Sequence, residues 1–469
     1  MPSPRDPVAA SLVDAAPSVL WLDSPGRPPV GDPLLGAAST DLVVVGAGYT
    51  GLWAALQAVE DDPSRDVVVI DAGTVAGQAS GRNGGFLSSS LTHGLANGVA
   101  RFPGDVERTL AAARDNYAGV LDAVARHGID ADLREVGTLS VANERWTLPE
   151  VLDDAALLAR HGEEVVVLDS SGVRAELDSP TYLGGCWQRT GEATVDPARL
   201  GWGLAAAARR AGVRILEGTR MVAMDRHGAG MEVRTDRGAI RCGAVVLGTG
   251  AFRSPVRAVN RRVVPVYDHV LATEPLGASR LASLGWSNRQ GVSDSTNQFH
   301  YYRLTEDDRI VWGGYDAVFH SGGRIDPALE QRPETFRKLA AHLLDTFPQL
   351  EGIRFTHRWG GVIDTSTRFA VGFGTAFDGR VAYAVGYTGL GVGASRFGAR
   401  VCLDLLYRPG SDLLRLDLVR RRPVPFPPEP VRTAGIQLTR RAIARADERE
   451  GRRGPWLRLL DALGLGFDS

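Results

Sequence analysis

The sequence predicts an α/β protein. One parallel-sheet domain is assembled from three separated stretches, and an α+β part of antiparallel or mixed sheet is built from the stretches between them. Three observations carry this. Near the N-terminus a valine-rich run meets a glycine cluster and then a helical pattern. Close to residue 390 a second glycine cluster opens another helical pattern. Between them lie runs with many aromatics that alternate apolar and polar residues, as antiparallel strands do. The length agrees, since 469 residues exceed what one simple core holds.

Composition narrows the class. Hydrophobic content of 44% and charged content of 23% are those of a globular protein in water. A formal charge of −2 gives no global field toward nucleic acid or anionic membrane. Cys186, Cys242 and Cys402 show neither disulfide nor metal-ligand spacing, so no metal is expected and a reducing compartment is. The N-terminal "MPSPRDPVAASLVDAAPSVLWLD" has acids and prolines where a signal peptide needs a basic start and an apolar run. A cytoplasmic location is the expectation.

The first element is "DLVVVGAGYTGLWAALQAVEDDPSRDVVVIDAG". Asp41 to Val45 is a short continuous apolar run, as a buried parallel strand should be. Gly46, Gly48 and Gly51 follow in GxGxxG spacing and lead into a helix, and a second apolar run ends on Asp71. Each part has a physical task. The first glycine makes the turn, the second admits a pyrophosphate to the backbone, and the third lets helix and strand close up. The helix N-terminus offers free N–H groups to phosphate, and Asp71 can accept from a ribose diol. Strand, glycines, helix, strand and acid at these separations predict a Rossmann-like dinucleotide site, without deciding between NAD and FAD.

The next stretch, "GQASGRNGGFLSSS" (77–90), is neither amphipathic nor alternating. In an NAD enzyme further αβ units would normally follow here. A glycine- and serine-rich run with Arg82 and Asn83 planted in it suits a backbone lying along an extended ligand. Later, "AVVLGTGAF" (244–252) is a buried strand ending in Gly-Thr-Gly. "RVAYAVGYTGLGVGASRFGARVCLDLL" runs strand, glycines and helix with no acid-ended strand after it.

With its Asp71 and "ASGRNGG", the chain resembles the FAD-dependent D-amino-acid oxidase and glycine oxidase superfamily. The SGRNGG form is most similar to the γ-glutamylputrescine oxidase and aminophosphonate oxidoreductase branches. The resemblance runs in order over roughly residues 15 to 450. It implies a discontinuous Rossmann-like FAD-binding domain and an antiparallel or mixed-sheet substrate domain. It also implies non-covalent FAD, because the Arg-Asn-Gly-Gly positions offer no histidine or cysteine for attachment. The cofactor contacts it implies come first from Gly46, Gly48, Tyr49, Thr50 and Gly51, then from Asp71 and Ala72. The loop would add Ser80, Arg82, Asn83, Gly84, Gly85 and Phe86, and Val222 would meet adenine through its backbone. Thr249, Gly250 and Gly361 follow, and then Gly386, Tyr387, Gly389, Leu390, Gly391 and Val392 at the late helix. That helix would aim its N-terminus at the pyrimidine edge of the flavin, where negative charge builds up on reduction.

The boundaries this implies are 38–95, 191–257 and 353–410 for the FAD-binding parts, and 96–190 and 258–352 for the substrate parts. An Arg/Pro-rich extension takes 411–469. The family's substrate sheet lies over the flavin, and the side chains expected to line it are Tyr267, His269, His300, Tyr302 and Trp312. His269, His300 and Tyr302 are the catalytic candidates. "HRWGGVIDTSTRFAVGFG" departs from the family's commoner pattern at this point, and Arg368 is the substitute considered for its carboxylate-binding arginine. In sarcosine-oxidase-type relatives a lysine over the flavin assists reaction with oxygen. The single lysine here, Lys338, falls in a helical stretch expected at the surface, so the charge is expected from His269 or His300.

The implied activity is oxidation of an amine, amino-acid or aminophosphonate-like substrate at its C–N bond, with oxygen as acceptor. The alternatives are an FAD dehydrogenase passing electrons to a quinone or carrier protein, and an RNA-modifying flavoprotein. The last would need a basic face that a charge of −2 does not supply. "PWLRLLDALGLGFDS" reads as an amphipathic end that packs on its own domain, on another subunit, or against a membrane surface.

Overall fold

The computed structural model describes residues 6–465. Residues 1–5 and 466–469, the first residues of the N-terminal reading and the last four of the amphipathic end, lie outside the described residues. Two large sheets organise an α/β fold. In the first, Gly36–Val45 runs parallel between Val67–Ile70 and Gly238–Leu247. Arg214–Leu216 and Val381–Val385 extend it on either side, again in parallel. Antiparallel Gly372–Ala376 and the hairpin Met221–His227/Gly230–Thr235 complete its eight strands. Leu42 and Val44 are buried under the helix Tyr49–Asp61, and Val43 and Val45 against Met224, Met231 and Val233 of the hairpin on the other face, which is why the sequence is continuously apolar there rather than alternating. The helices Tyr49–Asp61 and Gly391–Tyr407 pack side by side on one face.

The second sheet has the order Phe355–Ser366, Val263–Thr273, Ile310–Gly314, His300–Leu304, Gly291–Asp294, Thr138–Ala142, Gly184–Gln188, Val165–Asp169. Its pairings are antiparallel except Gly291–Asp294 with Thr138–Ala142, so it is mixed. Phe355–Ser366 pairs with Val263–Thr273 along its whole length. The sequence reading gave that strand to the third FAD-binding part, from residue 353. Its hydrogen bonds place it in the second sheet, and the return to the first sheet comes only at Gly372.

One face of the second sheet packs on the helix Pro333–Thr346 through Phe336, Leu339 and Leu343, all buried. The other face looks toward the late glycine cluster. Helices Val431–Asp447 and Pro455–Ala462 of the extension fold back over the opening. The Asp447 carboxylate accepts from Asn297 N (3.2 Å), Asn297 Nδ2 (2.7 Å) and Gln298 N (3.1 Å). Trp456 Nε1 donates to Thr439 Oγ1 at 3.0 Å. The extension therefore packs on its own chain, and Trp456 is turned inward. Among the described residues no helix is long and apolar enough to cross a membrane.

Candidate active site

The glycine fingerprint is built as close packing demands. Gly46 has φ +106°, and a Cβ there would stand 2.5 Å from Gly248 O. A Cβ on Gly51 would lie 1.8 Å from Gly46 O, so no other residue fits. Ser80 Oγ accepts from Tyr49 N at 2.9 Å, meeting one of the free donors of the helix start. Asp71 accepts from Ala47 N and Gly73 N, both at 2.7 Å, and burial raises its pKa against those two bonds. Thr50 Oγ1 donates to Tyr387 Oη at 2.9 Å and joins the first glycine cluster to the late one.

These parts line one cavity of about 1170 Å³ that runs from the fingerprint to the second sheet. Gly46, Gly48, Asp71, Ala72, Thr249 and Gly250 lie at one end. Ser80, Arg82, Asn83, Gly84 and Phe86 follow along it, and Gly361, Tyr387, Gly389, Leu390, Gly391 and Val392 stand opposite. Gly51, Gly85 and Gly386 are behind the wall and shape it. A Cβ on Gly85 would come 2.2 Å from Val195 O, and one on Gly386 2.7 Å from Ser366 Cβ. Val222 is not in the cavity wall, and its expected backbone contact with adenine stays a proposal. Val222 is 60% exposed, and its neighbours Arg220 and Met221 reach the cavity instead.

FAD fits this cavity by two observations beyond the glycines. Thr249 Oγ1 and Ser395 Oγ are buried at its wall with no hydrogen-bond partner, which buried hydroxyls rarely tolerate. The helix Gly391–Tyr407 begins at the cavity, so its free N–H groups and positive end face in.

Arg82 and Asn83 turn out to hold the loop itself. The Arg82 guanidinium pairs with Glu330 at 2.6 Å and donates to Gly77 O (3.0 Å) and Gly360 O (3.3 Å). Asn83 donates to Ala79 O and Ser80 O, each at 3.0 Å, and accepts from Gly85 N at 2.8 Å. Trp359 Nε1 and Trp21 Nε1 tie down the main-chain oxygens of the same two residues.

The candidates expected on the substrate side turn away from this cavity. Along Val263–Thr273 the cavity meets Val264, Val266, Asp268 and Val270, so Tyr267 and His269 point the other way. The His269 ring sits edge-on to Phe336 with centroids 5.5 Å apart, and burial, with Arg332 nearby, lowers its pKa to about 4. In His300–Leu304 the cavity meets Tyr301, not His300 or Tyr302. His300 is bound between Asp294 Oδ2 (2.6 Å) and His342 Nδ1 (2.9 Å), while Tyr302 hydrogen-bonds Tyr182 and packs on Trp312. Arg368 is also withdrawn, for its guanidinium donates to the carbonyls of Ala370, Val371, Leu418 and Arg421.

What faces the cavity there instead is an acid and a phenol. Tyr301 Oη donates to Asp268 Oδ2, and Asp268 Oδ1 accepts from His269 N at 2.9 Å. Burial pushes the Asp268 carboxyl up to about 6, against the opposing effect of those bonds. Glu192 and His93 line the cavity too. Glu192 accepts from Ser88 Oγ (2.6 Å) and Thr138 Oγ1 (3.2 Å), and burial raises it to about 7. Asp364 takes the main-chain N–H of Gly386 at 2.6 Å and is likewise raised by burial to about 7. The sequence reading missed Asp268 and Tyr301. Strict alternation from the valines at 264 and 266 was the signal that would have found Asp268.

The comparisons with known proteins agree with this geometry. The family model described as FAD dependent oxidoreductase (DAO) matches residues 41–405. The chain is 30% identical over 403 residues to gamma-glutamylputrescine oxidoreductase of Escherichia coli (strain K12), covering 84% of this chain and 90% of that one. It is 24% identical to sarcosine oxidase subunit beta of Rhodobacter capsulatus, covering 72% and 78%. Among solved structures, glycine oxidase from Bacillus cereus ATCC 14579 superposes with a TM-score of 0.67 at 19% identity, covering 82% of this chain and 99% of that one. L-proline dehydrogenase from P. horikoshii gives 0.68 at 16%, covering 82% and 98%. Fingerprint, cavity and family match together make this chain an enzyme of the DAO family, the FAD-dependent oxidoreductases.

Proposed function

We propose that this enzyme oxidises the C–N bond of a small amine or amino-acid-like substrate to an imine, with oxygen as the final acceptor. The observation that carries the reading is the single cavity. It joins the dinucleotide fingerprint to a sheet floor bearing an acid and a phenol, Asp268 and Tyr301. FAD, when bound, would supply the two-electron oxidation of the carbon next to nitrogen. Once the substrate ammonium has given a proton to water, the nitrogen lone pair becomes the second bond of the imine, and water then hydrolyses it to a carbonyl compound and an amine or ammonia. Passing the two electrons and two protons on to oxygen gives hydrogen peroxide.

The chain's own residues do the positioning. The loop held by Arg82 and Asn83 shapes the wall beside the cofactor. The start of Gly391–Tyr407 places a positive helix end toward it. The extension, through Ile436, Ile443 and Trp456, closes the far side and keeps water from the reacting atoms. The names of the E. coli and R. capsulatus relatives support an amine-type substrate. The three free, buried cysteines are in keeping with a cytoplasmic location.

A second reading, a dehydrogenase that hands electrons to a quinone or carrier, is favoured by one observation. Lys338 is engaged with Asp316 and is not part of the cavity wall, and His269 and His300 face away from it. Anaerobic addition of amines to the yellow enzyme tests the first step. Loss of the visible flavin band is expected, and its persistence with every amine and amino acid tried refutes amine oxidation. Peroxide formation on admitting air then separates the two acceptors.

A further inference from the structure

Among the described residues, Asp268 is one of three buried cavity carboxylates without a cationic partner, with Glu192 and Asp364, and it is the one of the three that a phenol holds. It stands deep in the protein, and its remaining exposure is toward the cavity. Its hydrogen bonds come from the Tyr301 phenol and from main-chain N–H groups, those of His269 and Gly314. Among the described residues no arginine, lysine or histidine pairs with it; His300 acts on it only at longer range. A buried carboxylate without a countercharge is costly, and a cation arriving from the cavity relieves that cost.

Its support is rigid. Tyr301 is wedged between two glycines: a Cβ on Gly84 would stand 2.5 Å from its Cε2, and one on Gly313 2.5 Å from its Cζ. The phenol is therefore fixed by the cofactor loop on one side and by the neighbouring strand on the other. The cavity wall also offers Phe299, Phe319, Ile436 and Trp456, which suit hydrocarbon, with the cation Arg440 one turn beyond Ile436 on the same helix.

We propose that Asp268 binds the ammonium group of the substrate and that Tyr301 is its positioning residue, so that the enzyme selects cationic amines over neutral or anionic analogues. The inference rests on the amine reading above. It assigns recognition to a carboxylate, and the substrate need carry no carboxylate of its own.

The test uses the FAD-loaded enzyme and three probes of one chain length, n-hexylamine, 1-hexanol and hexanoate, titrated while the visible flavin spectrum reports occupancy. At a pH well above the Asp268 titration, hexylamine is expected to bind about tenfold or more tighter than hexanol, the span of one charge-assisted hydrogen bond. In Asp268→Asn that preference is expected to disappear while FAD content is retained. A preference that survives in Asp268→Asn, or is missing from the wild type, overturns the proposal.

If Asp268→Asn does not fold, Tyr301→Phe takes its place. Loss of the phenol donor raises the Asp268 pKa, so the pH at which hexylamine binding appears should move upward. An unmoved pH overturns the assignment. Failure of the amine-oxidation reading looks different: hexylamine would bind in an Asp268-dependent way, yet no amine would bleach the flavin.

Discussion

Gly84 lies directly against the ring of Tyr301. A methyl group on Gly84 would reach within 2.5 Å of Tyr301 Cε2 and 2.8 Å of Cδ2, and the ring also meets Phe86 edge-on at 5.8 Å. The first glycine of the RNGG pair thus seats an aromatic of the substrate sheet, besides bordering the cofactor end of the cavity. Gly84→Ala is expected to push the phenol away from Asp268 and to cost about 1–3 kcal/mol of stability, as overpacking does. Denaturant unfolding of the variant, with its FAD content and hexylamine affinity, measures this. Unchanged stability and affinity would mean that the ring shifts freely, against the wedge described here.

The Arg82–Glu330 pair gives a sharper test of what the loop does. If Arg82 acts by fastening the loop, Arg82→Ala and Glu330→Gln both loosen Gly77–Phe86 from Gly360 and weaken FAD retention. The arginine variant should lose about 1.5–3 kcal/mol, the size of a charged hydrogen bond, and the glutamate variant less. If the guanidinium instead serves the cofactor phosphates, Glu330→Gln frees its charge and tightens FAD. Equilibrium release of FAD from the two variants decides by its sign.

Much of the cofactor side was legible in the sequence because its constraints are local. Gly51 is fixed by Gly46, Gly46 by Gly248 at the end of the adjacent strand and Gly48 by Ser80 of the following loop, all parts of one strand–turn–helix unit and its immediate neighbours, so the spacing reveals them. The substrate side was legible as a sheet but not as a face. Tyr267, His269, His300 and Tyr302 carry the chemistry a reader looks for, yet period two sends them to the helix Pro333–Thr346 and its surroundings. This sheet is covered on both faces, so polar aromatics occur on either, and residue type could not choose. The role of the extension as a cavity wall was out of reach for another reason. It depends on contacts such as Asp447 with Asn297, 150 residues apart in sequence.

Asp364 ties the late glycine turn to pH. Its folded-state pKa is about 7 against an ordinary 3.8, so between those values the folded protein holds a proton that the unfolded chain has released. Stability from this group is therefore full below about pH 4 and falls as pH rises to about 7, by up to about 1.4 kcal/mol per pH unit. His269, held down at about 4, acts with the opposite sign, its stability being lost as pH falls. The difference between wild type and Asp364→Asn isolates the carboxyl. The variant should gain on the wild type steadily as pH rises through this window. Parallel pH profiles of unfolding would show that Asp364 titrates normally.

Reaction with oxygen is where the geometry most alters the expectation drawn from sequence. Lys338 Nζ lies 3.3 Å from Asp316 Oδ1 and 5.5 Å from the Tyr315 centroid, so its charge is already paired. His269 faces Phe336, and its depressed pKa leaves it neutral at ordinary pH. His300 is enclosed by Asp294, His342 and the stacked Tyr315 ring. Neither histidine presents a proton to the cavity, so the charge that the sequence reading assigned to His269 or His300 does not come from them. His269→Gln and His300→Gln should reoxidise at wild-type rates once their FAD content is matched. The cations that do line the cavity are arginines, among them Arg253 and Arg440, while Arg82 is already paired with Glu330. Stopped-flow mixing of the reduced enzyme with oxygen at several pH values is expected to give one and the same profile in wild type, His269→Gln and His300→Gln, any slope belonging to the cavity carboxyls Asp268, Glu192 and Asp364. A rate that falls through the histidine range in the wild type but not in His300→Gln would return the histidine to the oxygen step. A rate no faster than that of free reduced flavin, with rapid reduction of a quinone analogue, would identify a dehydrogenase.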